Sequence, residues 1–317
     1  MEETVLTKPT LKKHFAKSRL SERPLVIVEG KDDISFYDKI ATISLKNTKI
    51  TAVENIQGYT EGCAGIESLI LDIQGILDEE DINEKFFLAI IDADVRRYRN
   101  EEITLKGLLT LKYYSYESHF ITPYVASKLI EQFSNINGEL IDEKLHAFLM
   151  DDFQSKALTD FFYPSLEALR NSLEEDYVGL IGYGKIPNSE PVKKVTCDLI
   201  VKNDELRSSI LEKQEELEIF ASTLNVSYTY SNLLKICKGK WILEYFTEKI
   251  IQKFNNAKTA CADKSISQCQ YCENSDYDKC LYKPNIKLNK KGIVSLLLNY
   301  LDETELKYII ERFKLLN

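Results

Sequence analysis

Three acidic side chains follow apolar segments that are typical of buried β-strands. Glu29 comes directly after the run 25–28, and Asp92 and Asp94 come after the run 86–91. Ligands of parallel α/β sheets gather beyond the carboxyl ends of the strands, so we expect these carboxylates to converge. Residues i and i+2 of an extended segment point the same way, which lets Asp92 and Asp94 grip one cation together. Because packed carboxylates repel one another unless a hard cation neutralises them, the pattern predicts a Mg²⁺ (or Mn²⁺) site.

Two further acids extend this predicted site. Asp33 lies one helical turn after Glu29, and Glu117 follows a fourth strand predicted near 112–116. A cation held by such oxygens polarises a phosphoryl oxygen and activates water, which is the chemistry of phosphodiester hydrolysis. For any one acid the alternative is a helix N-cap or a surface charge. The predicted catalytic residues are Glu29, Asp92, Asp94 and Glu117, and the predicted Mg²⁺ ligands are Glu29, Asp33, Asp92 and Asp94.

The elements that must position these acids alternate between strand and helix in the first third of the chain. Strands are predicted at 25–28, 49–53, 86–91 and near 112–116, separated by helical patterns. This alternation indicates βαβ units and a parallel sheet. Amphipathic helical patterns follow, at 124–136 and 199–220. We therefore predict an α/β domain over 1–123, with a Rossmann-like parallel sheet flanked by helices, and a mainly helical C-terminal region over 124–317.

Four cysteines in the C-terminal region have the spacing of a metal site, C-x7-C-x2-C-x7-C, formed by Cys261, Cys269, Cys272 and Cys280. Four thiolates complete a tetrahedral structural zinc site and leave no open position for catalysis. We predict a zinc-binding loop over 261–280. The alternatives are an iron–sulfur cluster, which also uses four thiolates, or free thiols. The remaining cysteines, Cys63, Cys197 and Cys237, are expected to be reduced, small buried hydrophobes.

Basic residues close to the predicted acidic site and before the cysteine cluster are candidates for binding phosphates. Lysines neutralise phosphates, and interleaved aromatic residues stack bases. The alternative is an ordinary solvated surface. The predicted nucleic-acid-binding residues are Lys31, Arg96, Arg97, Lys238 and Lys240.

The composition limits the classes of protein to which the chain can belong. Its 317 residues, 44% of them hydrophobic, exclude a disordered chain. A net charge of −9 argues against nucleic-acid binding over the whole surface but permits a local basic face. No apolar run is long enough to span a bilayer, and the acidic N-terminus lacks the apolar segment of a signal peptide. We expect a cytoplasmic protein with no membrane contact.

Several of these motifs resemble a known family. Val28-Glu-Gly-Lys-Asp-Asp33, paired with Ile91-Asp-Ala-Asp94 about sixty residues later, resembles the Toprim domain of topoisomerases, primases and related nucleases. Tyr114-Ser-Tyr-Glu-Ser-His119 resembles an element of the DUF4435 Toprim family, which is close to the OLD nucleases, with Ser118 where that family often has asparagine. Lys238-Gly-Lys-Trp-Ile-Leu243 is similar to a later Gly-Lys segment. The resemblance covers roughly residues 20–250.

The resemblance implies a function as well as a Toprim fold. Glu29 would be the general acid or base or a metal ligand, and Asp92 and Asp94 would bind Mg²⁺. The family includes the Toprim effector of the PARIS anti-phage system, which an ABC-type ATPase holds and which cleaves tRNA on release. The resemblance thus implies a toxic Mg²⁺-dependent endoribonuclease with an ABC-type ATPase partner, and it is compatible with a homodimer. The alternatives are an OLD-like DNA nuclease and a non-catalytic Toprim module that binds a partner.

Overall fold

The computed structural model describes residues 9–79, 81–101, 103–187, 189, 191–286 and 288–317. The chain forms two compact units. The first contains the described residues up to 93, those between 101 and 112, and residues 303–317. The second contains residues 94–100 and the described residues between 113 and 302. The domain boundary at residue 123 stays a prediction.

The first unit contains a four-stranded parallel sheet. Its strands lie in the order β2-β1-β3-β4, and every neighbouring pair is parallel. The predicted α/β class with a parallel sheet is therefore confirmed. The bounds of the strands are β1 Leu25–Val28, β2 Lys49–Ala52, β3 Phe87–Ile91 and β4 Leu108–Thr110.

The two central strands, β1 and β3, are buried along their whole length. They are apolar at every position, as expected for parallel strands that are covered on both faces. Their register pairs Leu25 with Phe87 and Ile27 with Ala89. Because the strands run in the same direction, the residues that follow them, Glu29 and Asp92, emerge at one edge of the sheet.

The prediction of a fourth strand near 112–116 is wrong, since β4 lies four residues earlier. Gly107 adopts a φ of 72°, and its carbonyl accepts a hydrogen bond of 2.7 Å from the Ala89 amide. A Cβ at Gly107 would lie 2.8 Å from the Phe87 ring, so glycine permits both the turn and the close approach. The sheet pairing therefore begins at this glycine rather than at the later aromatic residues.

Helices of the first unit cover the sheet with the apolar faces that the sequence predicts. In the longest, Ile66, Leu69, Ile70, Ile73 and Leu77 are buried together with side chains of β1 and β3. These positions recur at helical spacing, which is why this segment forms a helix against the sheet. The helices are α1 Leu11–Leu20, α2 Ile34–Ile43, α3 Cys63–Glu79 and the C-terminal helix Lys307–Lys314.

The second unit is mainly helical where the structure describes it, which confirms the helical character predicted after residue 123. Its helices are α4 Pro123–Phe133, α5 Glu143–Met150, α6 Phe153–Leu173, α7 Cys197–Lys202, α8 Asp204–Leu211, α9 Gln214–Thr223, α10 Tyr230–Ile236, α11 Gly239–Ala262, α12 Gln270–Glu273 and α13 Lys290–Leu296. Among the described helices of the chain, none has the length and apolar character that crossing a membrane requires.

The amphipathic stretch predicted over 199–220 is divided into α7, α8 and α9 rather than forming one continuous helix. Asn203 separates the first two, because its side-chain oxygen accepts a 3.0 Å hydrogen bond from the Leu206 amide and caps α8. Asparagine at an N-cap competes with continuation of the preceding helix. The apolar stripe is retained, since Ile210, Leu217 and Phe220 are all buried.

Candidate functional site

The structure brings together Glu29 and Asp92, which the sequence assigned to one site. The two residues lie 63 positions apart, and each follows a central strand. Oε1 of Glu29 accepts a hydrogen bond of 2.6 Å from the backbone amide of Asp92. Both side chains are partly exposed. The end of β1 is therefore joined to the end of β3 by a carboxylate at the rim of the sheet.

Asp33 belongs to the same cluster of acids in the first unit. It ends the 3₁₀ helix Lys31–Asp33, and its Oδ2 accepts a 3.0 Å hydrogen bond from the Gly30 amide. The pKa of the nearby Tyr37 phenol is well above its ordinary value, because the ring is buried and because Asp92, Asp33 and Glu29 add negative charge around it. Three of the predicted Mg²⁺ ligands thus act on one buried hydroxyl.

Cys63 is a member of this cluster that the sequence did not reveal. It was expected to be a buried hydrophobe, but it is half-buried at the start of α3 and its thiol donates to Oε1 of Glu29 at 3.0 Å. Glu29 and Cys63 are among the side chains that can hold a metal ion. In contrast, Cys197 and Cys237 are buried as expected. The contact spans 34 residues, so no local sequence signal could have indicated it.

Asp94 and Glu117, which the sequence also assigned to the magnesium site, lie in the second unit. Asp94 has a φ of 42°, and its amide donates to the carbonyl oxygen of Tyr114 at 2.9 Å. Burial is the main reason that the pKa of Lys238 is below its ordinary value, and the charges of Asp94 and Glu117 act in the opposite direction. These two acids are therefore close enough to interact electrostatically with the same lysine.

Glu117 is almost completely buried, with 6% of its surface exposed. It lies in the 3₁₀ helix Tyr116–Phe120, and its Oε2 accepts a 2.5 Å hydrogen bond from the Ser115 hydroxyl. Gly239, the first residue of α11, packs against this pair: a Cβ there would lie 2.1 Å from Ser115 Oγ and 2.9 Å from Glu117 Oε2. The two sequence motifs 114–119 and 238–243 thus meet at a contact that only glycine permits.

The predicted phosphate-binding cations differ in how accessible they are. Lys31 and Arg97 are exposed, although the Lys31 ammonium pairs with the Glu54 carboxylate. Arg96 is buried, and Lys238 is half-buried with its Nζ donating to the carbonyl oxygen of Tyr183 at 2.9 Å. Lys240, one residue into α11, is exposed. The most accessible of these five cations are Lys31, Arg97 and Lys240.

The four clustered cysteines form a buried thiol group within the second unit. Their Sγ atoms all lie within 4.8 Å of one another, and each side chain is at most 2% exposed. Zinc–sulfur bonds of about 2.3 Å place the corners of a tetrahedron about 3.8 Å apart. The Sγ atoms of Cys269 and Cys280 are 4.0 Å apart. The predicted proximity of these cysteines is confirmed, and the group can hold a zinc ion.

Backbone amides also donate to the sulfurs of this cluster. The Cys269 amide lies 3.3 Å from Cys261 Sγ, and the Leu281 amide lies 3.5 Å from Cys269 Sγ. Burial opposes ionisation of Cys269, but hydrogen bonds from the amides of Leu281 and Cys272 help to lower its pKa to about 7. Burial raises the pKa of Cys272 to about 12. Amide donors of this kind stabilise bound thiolates.

The sequence matches no protein-family model and no curated protein. What the two groups can do therefore follows from their chemistry. Carboxylates at a partly exposed rim suit a hard cation that keeps water ligands and remains open to a substrate. A buried set of four thiols suits a closed structural metal site.

Proposed function

We propose that this protein is a Toprim-type, Mg²⁺- or Mn²⁺-dependent phosphodiesterase that cleaves nucleic acid, with tRNA as its favoured substrate. The observation that carries the proposal is the hydrogen bond from the Asp92 amide to Glu29, which joins the acids at the ends of β1 and β3. The Toprim resemblance of the two motifs supports the same assignment. The preference for tRNA rests on that resemblance, through the PARIS effector.

The proposed metal ligands in the first unit are Asp92, which follows β3, and Asp33, which lies at the start of α2. When bound, a divalent cation supplies charge that stabilises the phosphorane-like transition state. Glu29 is proposed to accept the proton of the attacking water, or to hold a second cation. The water oxygen bonds to phosphorus, its proton passes to Glu29, and the bond from phosphorus to the leaving oxygen breaks. The hydrogen bonds that Glu29 accepts from Asp92 and Cys63 hold its carboxylate in place for this transfer.

The cysteine group is proposed to hold a structural zinc ion that orders the segment 261–280. Cys261 lies in the last turn of α11, and after that helix ends at Ala262 the regular structure of this segment is limited to the short helix α12 and the 3₁₀ turn Tyr277–Lys279. Such a segment gains its order from cross-links rather than from a core of its own. An iron–sulfur cluster is the alternative occupant.

Control by an ABC-type ATPase partner is the regulatory part of the proposal. The candidate contact surface is the acidic outer face of α8 and α9, where six carboxylates are exposed: Asp204, Glu205, Glu212, Glu215, Glu216 and Glu218. Charge reversal at these positions is expected to reduce co-purification with the ATPase. Unchanged co-purification would exclude this surface as the contact.

The proposed activity is tested by incubating the purified protein with labelled tRNA, single-stranded DNA and duplex DNA, with Mg²⁺, with Mn²⁺ and with EDTA. We expect metal-dependent cleavage of tRNA. Cleavage confined to DNA would indicate an OLD-like DNA nuclease instead. Absence of cleavage with every substrate, together with unchanged toxicity of Glu29→Ala in cells, would indicate a non-catalytic binding module. Sequencing of RNA ends from cells that express wild type or Glu29→Ala locates the cut.

A further inference from the structure

The second unit contains a cavity of about 320 Å³ that the buried Glu117 helps to line. One wall is the 3₁₀ helix Tyr116–Phe120, and a second is the start of α11, with Lys240 and Leu243. The third wall comes from α13 and the turn that follows it, including Leu298. The volume lies at the lower end of the range for small-molecule pockets, about 300–1,000 Å³. It therefore suits a ligand of the size of one nucleobase with its sugar.

The lining is mostly aromatic and aliphatic, with three charged residues: Glu117, Lys240 and the exposed Glu244. The rings of Tyr116 and Phe120 both line the cavity, with centroids 6.3 Å apart and planes at 75°. Glu117 is buried, whereas Lys240 is exposed to solvent. A buried carboxylate among apolar side chains needs hydrogen-bond donors, and an exposed lysine suits a phosphate.

The position of Glu117 is fixed by packing rather than left to a flexible side chain. Ser115 donates to its Oε2, and the backbone of Gly239 is so close that no larger residue fits without displacement. The start of α11 also carries the positive end of the helix dipole, which favours a carboxylate there. The structure therefore presents an acceptor group in a defined place within an apolar cavity.

We infer that this cavity binds a guanine base of the nucleic-acid substrate, with Glu117 as the acceptor for the base and Lys240 beside its phosphate. Guanine is the base whose Watson–Crick edge presents two neighbouring N–H donors, N1–H and N2–H. Adenine, cytosine and uracil each place an acceptor beside their donor, and that acceptor would face the negative carboxylate. Aromatic side chains stack on any base, so they add affinity without selecting one.

This inference rests on the proposed function, since it takes the ligand to be part of the substrate. The inference gives Glu117, a residue of the second unit, a role in contacting the substrate. A purely apolar ligand would give the Glu117 carboxylate no hydrogen-bond donor beyond the Ser115 hydroxyl, which disfavours a lipid chain or an aliphatic side chain.

The test is binding of the four ribonucleoside 5′-monophosphates to the full-length protein, measured by calorimetry in the absence of cleavable nucleic acid. We expect GMP to bind at least about tenfold more tightly than AMP, CMP or UMP, which corresponds to about 1.4 kcal/mol. The deoxy form, dGMP, shows whether the sugar of RNA is also recognised. Equal binding of all four ribonucleotides, or binding of none, would overturn the inference.

Two variants locate the binding in this cavity. Glu117→Gln replaces one acceptor by an amide donor and is expected to reduce the preference for GMP by at least about tenfold. Leu298→Trp fills the cavity and is expected to abolish binding of all four nucleotides. Glu139→Gln changes an exposed carboxylate outside the cavity and serves as the matched control. Unchanged GMP binding by folded Glu117→Gln or Leu298→Trp would also overturn the inference.

The outcome of the nucleotide-binding test can be distinguished from the outcome of the cleavage test of the proposed function. Cleavage of nucleic acid without selective GMP binding would refute the guanine pocket and leave the phosphodiesterase proposal standing. Selective GMP binding without cleavage of any substrate would refute the phosphodiesterase and retain the pocket as a nucleotide-binding site.

Discussion

The two candidate metal groups are built in opposite ways. The cysteines lie within twenty residues of one another, are almost fully buried and bring four sulfurs together through local turns. Glu29 and Asp92 lie 63 residues apart, are partly exposed and meet because two parallel strands end at the same edge. A closed set of soft ligands suits a metal that stabilises the fold, whereas an open set of hard ligands suits a metal that contacts substrate. In the proposed function, the closed group serves the fold and the open group serves the substrate.

The largest effect is expected from removing a ligand of the closed group. Cys272→Ser should abolish zinc binding and unfold the segment 261–280, because binding of structural zinc contributes on the order of 10 kcal/mol to folding in small zinc modules. Metal analysis and thermal unfolding measure the two effects. Cys197→Ser, which changes a buried thiol outside the group, should keep the zinc. Zinc-free wild type with an unchanged unfolding temperature would contradict this role, and bound iron would identify the iron–sulfur alternative.

Substitutions in the open group, Glu29 and Asp92, should change activity far more than stability. We expect Glu29→Ala to lower the cleavage rate by about 100- to 10,000-fold, the range for removing a group that transfers protons, with a small change in unfolding temperature. The matched control is Asp32→Asn, an exposed acid of the same segment, which should cleave at close to the wild-type rate. Equal loss in the two variants would show that Glu29 has no special role.

Substitution of two helical glycines by alanine compares a closely packed position near Glu117 with a position at an open surface. Gly239→Ala places a methyl group 2.1 Å from Ser115 Oγ and should lower the free energy of unfolding by about 1–3 kcal/mol. Gly75→Ala, within exposed α3 backbone where a Cβ meets nothing within 4 Å, should raise it by about 0.5–1 kcal/mol. Urea unfolding measures both values. Two substitutions of the same sign would contradict the close approach at Gly239.

The smallest effect on stability is expected from removing a charge that takes part in ion pairs but not in a candidate metal group. Lys290 pairs with Asp198 at 3.3 Å and with Glu248 at 2.6 Å. Hydrogen bonds lower the pKa of both acids, chiefly from Lys202 to Asp198 and from Lys290 to Glu248. Because the groups are partly exposed, Lys290→Met should reduce the free energy of unfolding at neutral pH by at most about 1 kcal/mol.

The pH dependence of that effect follows from the sign of the pKa shifts. The acids have lower pKa values in the folded state than in the unfolded state, so their stabilisation is complete at pH values well above the ordinary 3.8 and 4.5. It is lost as the pH falls through the lowered folded values. The difference between wild type and Lys290→Met in chemical unfolding should therefore shrink in acid. A difference that stays constant from neutral to strongly acidic pH would exclude the ion pairs as its cause.

Local sequence patterns correctly predicted the features that depend on residues close together in the chain. The bounds of β1, the buried helix face of α3 and the proximity of the four cysteines all follow from periodicity or spacing within short segments. The same reasoning misplaced the fourth strand, because Gly107 and its pairing with Ala89 are set by sheet register rather than by local composition. Sequence patterns alone could not reveal contacts that depend on tertiary packing.

Three contacts between residues far apart in the sequence were not predicted. Cys63 reaches Glu29 across 34 residues, and Gly239 meets Ser115 from a distant helix. Residues 303–317 belong to the first unit, where the Tyr308 hydroxyl accepts from the Lys112 amide at 3.2 Å. In each case the local sequence of one segment contains no pattern that indicates contact with the other segment. The contact arises only from tertiary folding.

The assignment of Glu29 and Asp92 to a metal site is tested most directly by counting bound Mn²⁺. Protein whose cysteine group has been saturated with zinc is titrated with Mn²⁺, and free Mn²⁺ is measured by electron paramagnetic resonance. We expect wild type and Asp32→Asn to bind Mn²⁺, and Asp92→Asn to lose at least one ion per chain while keeping its zinc. The same Mn²⁺ count in wild type and Asp92→Asn, or no Mn²⁺ bound by wild type, would contradict a metal site at the ends of β1 and β3.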